Sequence, residues 1–431
     1  MVRVRVYPST IEGSIKAPPS KSYSHRAIVL ASLAEGTSVI SNPLFSRDTL
    51  ATVRVMRQLG AIIKEIGHEK YEIEGASNLN SPSGVLDVEN SGTTIRFATS
   101  ICSLTPQGTC TLTGDSSIRK RPMGPLLDSL NSLGVDCWSS EGDGRPPIVV
   151  RGGGLRGGEA AVDGSTSSQF LSSLLISCPK AIRNSSLKVT NELVSRPYVD
   201  ATIWMMSRFG VKVERDEYRS FSVQGGQSYR KSIITVPGDP GSASFFLIAT
   251  MLGGGSVRIS GIDTELPQAE LSFLDIARAL GAEIAISGGT IDLIAPEVLH
   301  GGSFDLKESP DLLPPLAMAA LKADSPIRIT GVEHTRSKES DRISALATEL
   351  SKLGFKIKEG PSYINVDPTS ELKSEILDAH NDHRLFMAFC ALGTAMPDGL
   401  EIEGLESVDV SYPTFLDDLS SLGAKVEVGN H

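Results

Sequence analysis

Hydroxyl groups and cations are concentrated in the segment Ser20-Lys21-Ser22-Tyr23-Ser24-His25-Arg26, which follows two prolines. The segment predicts a helix start, because serine hydroxyls accept hydrogen bonds from the first backbone N–H groups and an apolar run, 27–34, comes next. A helix N-terminus presents free N–H groups and partial positive charge, to which Lys21 and Arg26 add two full charges. These residue types suit the binding of phosphate or carboxylate, although a capped helix with two solvated cations would have the same sequence.

Five later segments also place small polar residues ahead of a predicted helix. They are Asn90-Ser91-Gly92-Thr93-Thr94, Ser165-Thr166-Ser167-Ser168-Gln169, Gly241-Ser242-Ala243-Ser244, Ser309-Pro310-Asp311 and Asn381-Asp382-His383-Arg384. Cations accompany many of the six segments, namely Lys21, Arg26, Arg96, Arg121, Arg196, Lys338, Arg342 and Arg384. Because they recur at one step of a repeated unit, we expect them to converge between two domains on a ligand with more than one phosphate or carboxylate.

The segment 338–342 combines cations with carboxylates. On a helix, Lys338 and Arg342 are four residues apart and would share a face, with Glu339 beside them. An exposed array of i,i+4 ion pairs is the alternative interpretation.

No motif for a metal or a nucleotide cofactor stands out. His380 and His383 are three residues apart and lack a clear third ligand, which makes them a weak indication of a metal site. A phosphate-binding loop of the P-loop kind and a dinucleotide fingerprint are both absent from the sequence. We expect neither a metal nor a cofactor.

A sixfold repeat positions these segments. An apolar residue followed by glycine ends a helical pattern six times, with glycines 69–76 residues apart at Gly60, Gly134, Gly210, Gly281, Gly354 and Gly423. Each glycine is typical of a left-handed helix C-cap. A short strand precedes each of these helices, and a helix rich in small residues precedes the strand. The unit is strand–helix–strand–helix–strand, about 70 residues long, which predicts parallel pairing through right-handed crossovers.

Six units over two cores predict three units in each of two domains. The sixth unit ends at 426–428 and the strand 2–7 is left over at the other end of the chain, so we expect the two ends to pair. The first domain would then combine 1–18 with 238–431, and 19–237 would be inserted into it. Prolines and glycine at both crossings favour these boundaries, and the active site is expected in the cleft between the domains.

Composition excludes several classes of protein. The chain has 431 residues, a formal charge of −10, 40% hydrophobic and 21% charged residues. This charge argues against a nucleic-acid binder, and no apolar run reaches the roughly 18 residues of a membrane span. The N-terminus alternates like a strand and does not resemble a signal peptide. Five cysteines without a Cys-x-x-Cys pair predict reduced thiols in a cytoplasmic protein, which we expect to be a monomer.

The chain closely resembles the 5-enolpyruvylshikimate-3-phosphate synthase family, also called 3-phosphoshikimate 1-carboxyvinyltransferases. The matching motifs are Pro19-Ser20-Lys21-Ser22 with Arg26, Asn90-Ser91-Gly92-Thr93 with Arg96, Arg121-Pro122, Ser167-Ser168-Gln169-Phe170, Ser195-Arg196-Pro197-Tyr198, Lys338-Glu339-Ser340-Asp341-Arg342 and Asn381-Asp382-His383-Arg384. The resemblance covers the whole length, including the repeat. It implies an α/β fold, a two-domain inside-out α/β barrel that closes on shikimate 3-phosphate and then on phosphoenolpyruvate.

The resemblance also implies an activity. The enolpyruvyl group would pass from phosphoenolpyruvate to the 5-hydroxyl of shikimate 3-phosphate, with release of phosphate, in the shikimate pathway to chorismate and the aromatic amino acids. The reaction would proceed by addition and elimination through a tetrahedral intermediate. By the same resemblance, the phosphonate glyphosate would occupy the phosphoenolpyruvate site.

The family pattern assigns residues to each substrate. Shikimate 3-phosphate would bind Lys21, Ser22, Arg26, Ser167, Ser168, Gln169, Ser195, Tyr198 and Lys338. Phosphoenolpyruvate would bind Lys21, Gly92, Arg121, Gln169, Arg342 and Arg384. The motif residues Asn90 and Arg96 are included in the substrate-binding set.

Four residues are implied in the chemistry. Asp311 would bind the acceptor and remove the proton of its 5-hydroxyl, while Glu339 with Lys338 would manage the proton on the methylene carbon. Lys21, which would contact both substrates, completes the catalytic set. Two positions depart from the family: His334 replaces a frequent asparagine, and Val410 replaces a lysine that would contact phosphate.

Two alternatives remain open. The UDP-N-acetylglucosamine enolpyruvyl transferase family shares the repeat and the donor, but typically carries Lys-Asn near the first helix and a loop cysteine five residues before an Arg-Pro pair. This chain has Lys21-Ser22 and, five residues before Arg121, Ser116. A non-enzymatic repeat protein that binds phosphorylated ligands is the second alternative. Asp311 and Glu339 argue against it, because a pure anion binder gains nothing from nearby carboxylates.

Overall fold

The computed structural model describes residues 2–76 and 78–430, and the chain divides into two compact units. The discontinuous unit combines Met1–Pro18 with Gly238–His431, and the inserted unit is Pro19–Pro237. Within the inserted unit, the N–H of Ser20 donates to the carbonyl oxygen of Pro237 at 2.8 Å. Within the discontinuous unit, the N–H of Asp239 donates to that of Pro18 at 2.8 Å. Each unit therefore holds the two points of chain crossing close together.

The described strands are short, mostly of two to six residues. They are β1 (Val2–Val6), β2 (Ile11–Lys16), β3 (Ala34–Glu35), β4 (Thr37–Ser41), β5 (Ile62–Ile66), β6 (Lys70–Glu74), β7 (Leu86–Asp87), β8 (Thr109–Thr113), β9 (Cys137–Ser139), β10 (Ile148–Arg151), β11 (Gly158–Asp163), β12 (Ser185–Thr190), β13 (Glu214–Asp216), β14 (Ser220–Val223), β15 (Tyr229–Arg230), β16 (Ile233–Thr235), β17 (Gly255–Ser260), β18 (Glu283–Ser287), β19 (Thr290–Ile294), β20 (Gly302–Asp305), β21 (Ile327–Thr330), β22 (Lys356–Gly360), β23 (Tyr363–Asp367), β24 (Ile376–Asp378), β25 (Leu400–Glu403) and β26 (Val426–Asn430).

The α-helices of the described residues alternate with these strands. They are α1 (Lys21–Leu33), α2 (Arg47–Gln58), α3 (Gly92–Cys102), α4 (Gly124–Ser132), α5 (Ser168–Ser177), α6 (Arg196–Arg208), α7 (Pro240–Gly253), α8 (Phe273–Ala279), α9 (Leu313–Met318), α10 (Arg342–Lys352), α11 (His383–Gly393) and α12 (Phe415–Ser421). A 3-10 turn, Pro310–Leu312, precedes α9.

Each unit contains three four-stranded sheets with the same topology. Their strand orders are β24-β25-β1-β26, β18-β19-β17-β2 and β20-β21-β23-β22 in the discontinuous unit, and β16-β4-β6-β5, β7-β8-β10-β9 and β11-β12-β14-β13 in the inserted unit. One edge pair of each sheet is parallel. The other two pairs are antiparallel, for example β5 with β6 and β4 with β6. The predicted α/β class and sixfold repeat are confirmed.

The expectation of parallel pairing is confirmed for one pair of each sheet, and the other two pairs of each sheet are antiparallel. The strands after the second helix are joined by short turns such as Gly288-Gly289, between β18 and β19. A turn of two residues can join only antiparallel strands, whereas the parallel pair needs a crossover helix.

The two ends of the chain pair in one sheet, as predicted. β1 lies between β25 and β26 and is antiparallel to both, with Val4 opposite Ile402 on one side and Val428 on the other. The N-terminal strand thus takes the place that the last strand of the hairpin occupies in the other five sheets.

Glycines end the second helix of every repeat in the left-handed conformation. The φ angles lie between 82° and 109° at Gly60, Gly134, Gly210, Gly281, Gly354 and Gly423. The predicted C-caps are therefore confirmed, and they turn the chain from each helix into the following strand.

Within each unit the first helices form the core and the sheets cover them. Every residue of α11 is buried, as is nearly every residue of α7, whereas strands such as β4 alternate between buried and exposed side chains. The two strands of each parallel pair end at the same edge of the sheet, and each of the two helices of the repeat begins at one of these strand ends. The topology therefore brings the helix N-termini of a unit to the carboxyl edges of its sheets, where ligands commonly bind in α/β folds.

Candidate active site

Lys21 is the first residue of α1, and its ammonium group binds a buried carboxylate. Its Nζ lies 3.1 Å from Oδ2 of Asp48, in the first turn of α2. Ser20 precedes α1 without a side-chain capping bond. Inside the helix, Ser24 accepts a hydrogen bond from the N–H of Leu44 at 2.9 Å and donates to the carbonyl oxygen of Ser20. The predicted capping serines thus include one that instead ties α1 to the chain ahead of α2.

Arg26 is buried, and neutral oxygen atoms bind its guanidinium group. Nε donates to Oγ1 of Thr202 at 2.8 Å, and Nη1 and Nη2 donate to the carbonyl oxygens of Ser22 and Tyr198, each at 2.9 Å. The ring of Phe97 lies 5.5 Å away. Burial lowers the pKa of Arg26 to about 10. Because these partners carry no negative charge, the cation remains suited to an anionic ligand.

The start of α3 packs against two buried arginines. A Cβ atom built on Gly92 would overlap Nη1 of Arg121 and lie 3.5 Å from Nη1 of Arg96, so glycine alone fits without a shift. Nη2 of Arg121 donates to Oδ1 of Asn90 at 3.3 Å. Two guanidinium groups and the first N–H groups of a helix therefore converge at this point.

Gln169 connects the start of α5 to α3. Ser167 is the N-cap of α5 and accepts a hydrogen bond from the N–H of Gln169 at 3.3 Å, and Ser168 is buried. The side chain of Gln169 accepts from Nη1 of Arg96 at 2.5 Å and donates to Oγ1 of Thr93 at 3.1 Å. Gln169 therefore joins the predicted residues Ser167 and Arg96 in one hydrogen-bonded group.

The start of α6 brings in Ser195 and Tyr198. Ser195 is buried and left-handed, with φ of 54°, a conformation that costs a non-glycine residue energy and recurs at functional sites. Tyr198 is half-buried, and its carbonyl oxygen binds Arg26. Helices α1, α3, α5 and α6 pack on one another, so the predicted residues at their starts belong to one helical cluster of the inserted unit.

In the discontinuous unit, Arg342 is the centre of a buried ion-pair cluster. Its Nε lies 2.8 Å from Oδ2 of Asp382, its Nη1 2.8 Å from Oδ1 of Asp311, and its Nη2 2.8 Å from Oε2 of Glu339. Burial alone would lower the pKa of Arg342, but Asp382, Glu339 and Asp311 outweigh it and raise the pKa.

Asp311 lies between three cations. Oδ2 is 2.7 Å from Nη2 of Arg384, and Oδ1 is 2.8 Å from Nη1 of Arg342 and 3.9 Å from Nζ of Lys338. Burial would raise the pKa of this carboxyl, but Arg384, Lys338 and Arg342 together hold it well below its usual range. Asp311 is therefore ionised at neutral pH.

The helical relation predicted between Lys338 and Arg342 is wrong. α10 begins at Arg342, because Asp341 is its N-cap and accepts a hydrogen bond from the N–H of Ser344 at 3.1 Å. Lys338 lies upstream of the helix, at the end of the 3-10 turn Glu333–Ser337. The two cations are neighbours through Asp311 rather than through a shared helix face.

The eight predicted cations do not all belong to one step of the repeat. Those on the first helices are Lys21, Arg26, Arg96 and Arg384, and those at or just ahead of the second helices are Arg121, Arg196, Lys338 and Arg342. Both groups of cations nevertheless lie at one edge of a sheet, because the strand before the first helix and the strand before the second helix are parallel. Both helices therefore begin at the same edge.

The histidines near the cluster have protein partners or are neutral. His380 binds Oε1 of Glu349 at 2.9 Å, and His383 is buried. Burial, followed by the charge of Lys338, lowers the pKa of His334 to about 4, and its buried Nε2 makes no hydrogen bond among the described residues. Within the described ranges, no three His, Cys, Asp or Glu side chains are grouped as metal ligands. Val410 is buried in the 3-10 turn Leu405–Val410.

Two carboxylates of this arrangement were not predicted. Asp382 is fully buried, binds Arg342 and caps α11 by accepting the N–H of Arg384 at 3.0 Å. Asp48 binds Lys21. The signal for Asp382 was its place just ahead of a helix, where aspartate commonly caps. Its ion pair with Arg342 depends instead on how α9, α10 and α11 pack, which the sequence does not show.

Comparisons with known proteins agree along the whole chain. The family model described as EPSP synthase (3-phosphoshikimate 1-carboxyvinyltransferase) matches residues 6–419. A 3-phosphoshikimate 1-carboxyvinyltransferase of Nitrosopumilus maritimus is 42% identical over 99% of this chain and 100% of its own length. One of Methanocaldococcus jannaschii is 40% identical over 97% of each. A solved EPSP synthase from Acinetobacter baumannii superimposes with a TM-score of 0.84, at 26% identity over 100% of both chains.

None of the described helices is long and apolar enough to cross a membrane.

Proposed function

This chain belongs to the EPSP synthase family, and we propose from that premise how its residues act in a 3-phosphoshikimate 1-carboxyvinyltransferase. The reaction is transfer of the carboxyvinyl group of phosphoenolpyruvate to shikimate 3-phosphate in aromatic amino-acid biosynthesis. The observation that carries the residue assignment is the carboxylate of Asp311, held ionised between Arg342, Arg384 and Lys338. A carboxylate in such a position can accept a proton beside anionic substrates.

Shikimate 3-phosphate is assigned mainly to the inserted unit. Ser167, Ser168 and Ser195 present hydroxyls at the starts of α5 and α6, and Lys21 and Arg26 supply positive charge on α1. A phosphate dianion suits this combination of helix N-termini, hydroxyls and cations. Ser22, Gln169 and Tyr198 complete the proposed contacts here, and Lys338 and Asp311 supply those from the discontinuous unit.

Phosphoenolpyruvate is assigned to arginines of both units. Arg121 lies against Gly92 at the start of α3, and Arg342 and Arg384 bind Asp311 in the discontinuous unit. Arginine forks suit both the carboxylate and the phosphate of this substrate. Lys21 and Gln169 complete the set, with Asn90 and Arg96 holding Arg121 and Gln169 in place. We therefore propose that the two units act on the same pair of substrates.

The proposed chemistry adds the acceptor oxygen to C2 of phosphoenolpyruvate and a proton to C3. Asp311 accepts the proton of the 5-hydroxyl as the C–O bond forms, and Glu339 with Lys338 delivers a proton to the methylene carbon. Loss of phosphate and of one proton from C3 then regenerates the vinyl group. The charge of Arg342 and Arg384 stabilises the anionic substrate atoms throughout.

Substrate binding would also strengthen Asp311 as a base. In the structure its pKa is held low, Arg384 being the largest favourable contribution, and a weak base is a poor acceptor for a hydroxyl proton. When phosphoenolpyruvate engages Arg384 and Arg342, those cations are neutralised in part by the substrate. The pKa of Asp311 should then rise toward its ordinary value.

An assay of phosphate release from phosphoenolpyruvate tests this function. We expect release with shikimate 3-phosphate as acceptor and none with UDP-N-acetylglucosamine, because Ser116 stands where that second family has its loop cysteine. Lys21→Ala is the matched negative control, since Lys21 would contact both substrates. Phosphate release that depends on UDP-N-acetylglucosamine would overturn the proposal. If no phosphate is released with either acceptor, a non-enzymatic binding protein would be favoured.

We further propose that the protein is a cytoplasmic monomer. Its five cysteines are all buried and unpaired, as in a reducing compartment. Light scattering should give the mass of one chain, 45.8 kDa, and cell fractionation should recover the protein with cytoplasmic markers. A mass of two chains, or recovery elsewhere, would refute the respective part.

A further inference from the structure

The turn between β24 and α11 has an unusual backbone. His380 and Asn381 are both left-handed, with φ of 52° and 54°. In the described part of the discontinuous unit they are the only non-glycine residues with positive φ. Such conformations cost energy and persist where the surroundings enforce them, commonly at functional sites. The turn leads directly into Asp382 and Arg384.

A buried carboxylate on α10 holds this turn. Oε1 of Glu349 accepts a hydrogen bond from Nε2–H of His380 at 2.9 Å, and Oε2 accepts the backbone N–H of Asp378 at 3.0 Å. Nζ of Lys352 lies 2.6 Å from the same Oε2. Only 1% of the Glu349 side chain is exposed, so its three partners fix it firmly.

The same helix presents Arg342 to the same turn. Glu349 follows Arg342 by seven residues, close to two helical turns, which places both on one face of α10. Arg342 binds Asp382 and Glu349 binds His380. Helix α10 is thus attached to the turn at two points, one of which is the ion-pair cluster itself.

We propose that His380 and Glu349 are positioning residues for Arg342 and Arg384. Their hydrogen bond holds the left-handed turn, so that Asp382 keeps both its cap on the N–H of Arg384 and its pair with Arg342. The predicted effect on catalysis rests on the proposed function, in which those two arginines bind phosphoenolpyruvate. Neither His380 nor Glu349 is among the residues proposed to bind the substrates.

Replacing His380 separates positioning from stability. His380→Gly removes the imidazole and also relieves the backbone strain, since glycine adopts positive φ freely. We expect a melting temperature within a few degrees of the wild type, with KM for phosphoenolpyruvate raised about tenfold and KM for shikimate 3-phosphate changed less than about threefold. His380→Gln, which keeps an N–H donor of similar reach, should recover most of the loss.

A matched control is available in the same unit. His300 binds Asp324 through Nδ1 at 2.9 Å in an exposed pair outside the cluster. His300→Gly removes a comparable histidine–carboxylate bond, and we expect both KM values to stay at the wild-type level. A rise in both KM values with a large loss of melting temperature in His380→Gly would indicate a merely structural role and overturn the proposal.

Amide hydrogen exchange tests the positioning independently of activity. The N–H of Arg384 is protected by Oδ1 of Asp382, and we expect it to exchange about tenfold faster in His380→Gly than in wild type or His300→Gly. If the wild type proves inactive with shikimate 3-phosphate, the proposed function fails while exchange still decides this inference. Unchanged exchange overturns it, as does an unchanged KM for phosphoenolpyruvate in an active enzyme.

Discussion

At the scale of single residues, the three cations around Asp311 hold its carboxyl group ionised and so define the chemistry it can do. Asp311→Asn keeps the shape and one acceptor oxygen but cannot take a proton at neutral pH. We expect turnover to fall at least about a hundredfold, since positioned proton removal contributes about 10²- to 10⁴-fold. Affinity for shikimate 3-phosphate should change less than about tenfold, because most of its proposed ligands lie elsewhere. Steady-state kinetics and calorimetry measure the two effects. Near-normal turnover would make Glu339 the next candidate base.

The same variant has a defined effect on stability as pH changes. The pKa of Asp311 lies below its unfolded value of about 3.9, so its ion pairs stabilise the fold fully above that value and are lost as pH falls through the folded pKa. We expect Asp311→Asn to lower the free energy of unfolding by roughly 1.5–3 kcal/mol at neutral pH. The difference between the proteins should hold down to about pH 5 and shrink below about pH 4. Urea unfolding across pH 3–7 checks this, with Asp305→Asn as an exposed control.

At Gly92, one added methyl group should affect the proposed phosphoenolpyruvate site directly. In Gly92→Ala the new Cβ overlaps Nη1 of Arg121, so the guanidinium, which is proposed to bind phosphoenolpyruvate, must shift. We expect KM for phosphoenolpyruvate to rise about tenfold. The inhibition constant of glyphosate should rise more, because glyphosate is longer than phosphoenolpyruvate and needs more room in the proposed site. Parallel inhibition and kinetic measurements compare the two factors. Equal factors would refute the steric argument.

At the scale of elements, helix starts carry the site, and much of that could be predicted. Small polar residues ahead of apolar runs marked the starts of α1, α3, α5 and α11, and the glycine C-caps marked the ends of the second helices. The start of α10 could not be placed in this way, because Asp341 competes with upstream residues for the N-cap. Local propensity does not decide which of these residues caps the helix. In the folded chain, the bond from Arg336 to Asp341 favours Asp341 as the cap.

Contacts among separate elements were the other part that sequence reasoning missed. Asp311, Arg342 and Asp382 come from three segments, each 31 or 40 residues from the next. The resemblance assigned two of these residues to the substrates, but their mutual pairing depends on how α9, α10 and α11 pack. The repeat period indicates that charged helix starts recur along the chain, but it does not indicate which of their charged side chains form ion pairs with one another.

Asp382 tests whether a helix cap can be separated from an ion pair. Asp382→Asn keeps an oxygen that can cap α11, and asparagine caps about as well as aspartate. The amide cannot also neutralise Arg342, which retains Glu339 and Asp311. We expect a stability loss of roughly 1.5–3 kcal/mol, as for a hydrogen bond to a charged group, and a higher KM for phosphoenolpyruvate. Asp382→Ser, which caps without the charge, should behave alike. Unchanged stability and KM in both variants would show that the cap, which both keep, matters more than the ion pair, which both lose.

At the scale of the whole molecule, the distribution of charge differs between the units. In the discontinuous unit Lys338, Arg342 and Arg384 face the carboxylates of Asp311, Glu339 and Asp382. In the inserted unit Arg26 binds neutral oxygen atoms. A dianion gains more from cations that no carboxylate already neutralises. On the proposed assignment, Arg26 therefore attracts the phosphate of shikimate 3-phosphate without a described carboxylate to offset it, whereas Lys21 is already paired with Asp48.

This difference leads to a prediction for the inserted unit alone. Residues 19–237 form three complete four-stranded sheets, and the bond from Ser20 to Pro237 with the pairing of Ile233 and Val39 brings the ends of the segment together. We expect the fragment to fold cooperatively and to bind shikimate 3-phosphate about 10- to 100-fold more weakly than the full chain, since it lacks the charged contact from Lys338. It should not bind phosphoenolpyruvate measurably without Arg342 and Arg384. Thermal unfolding and calorimetry test both points, with Arg26→Ala in the fragment as the control that should abolish binding. An unfolded fragment would contradict the expectation that this unit folds alone, and equal affinity for the two substrates would contradict the assignment of shikimate 3-phosphate to it.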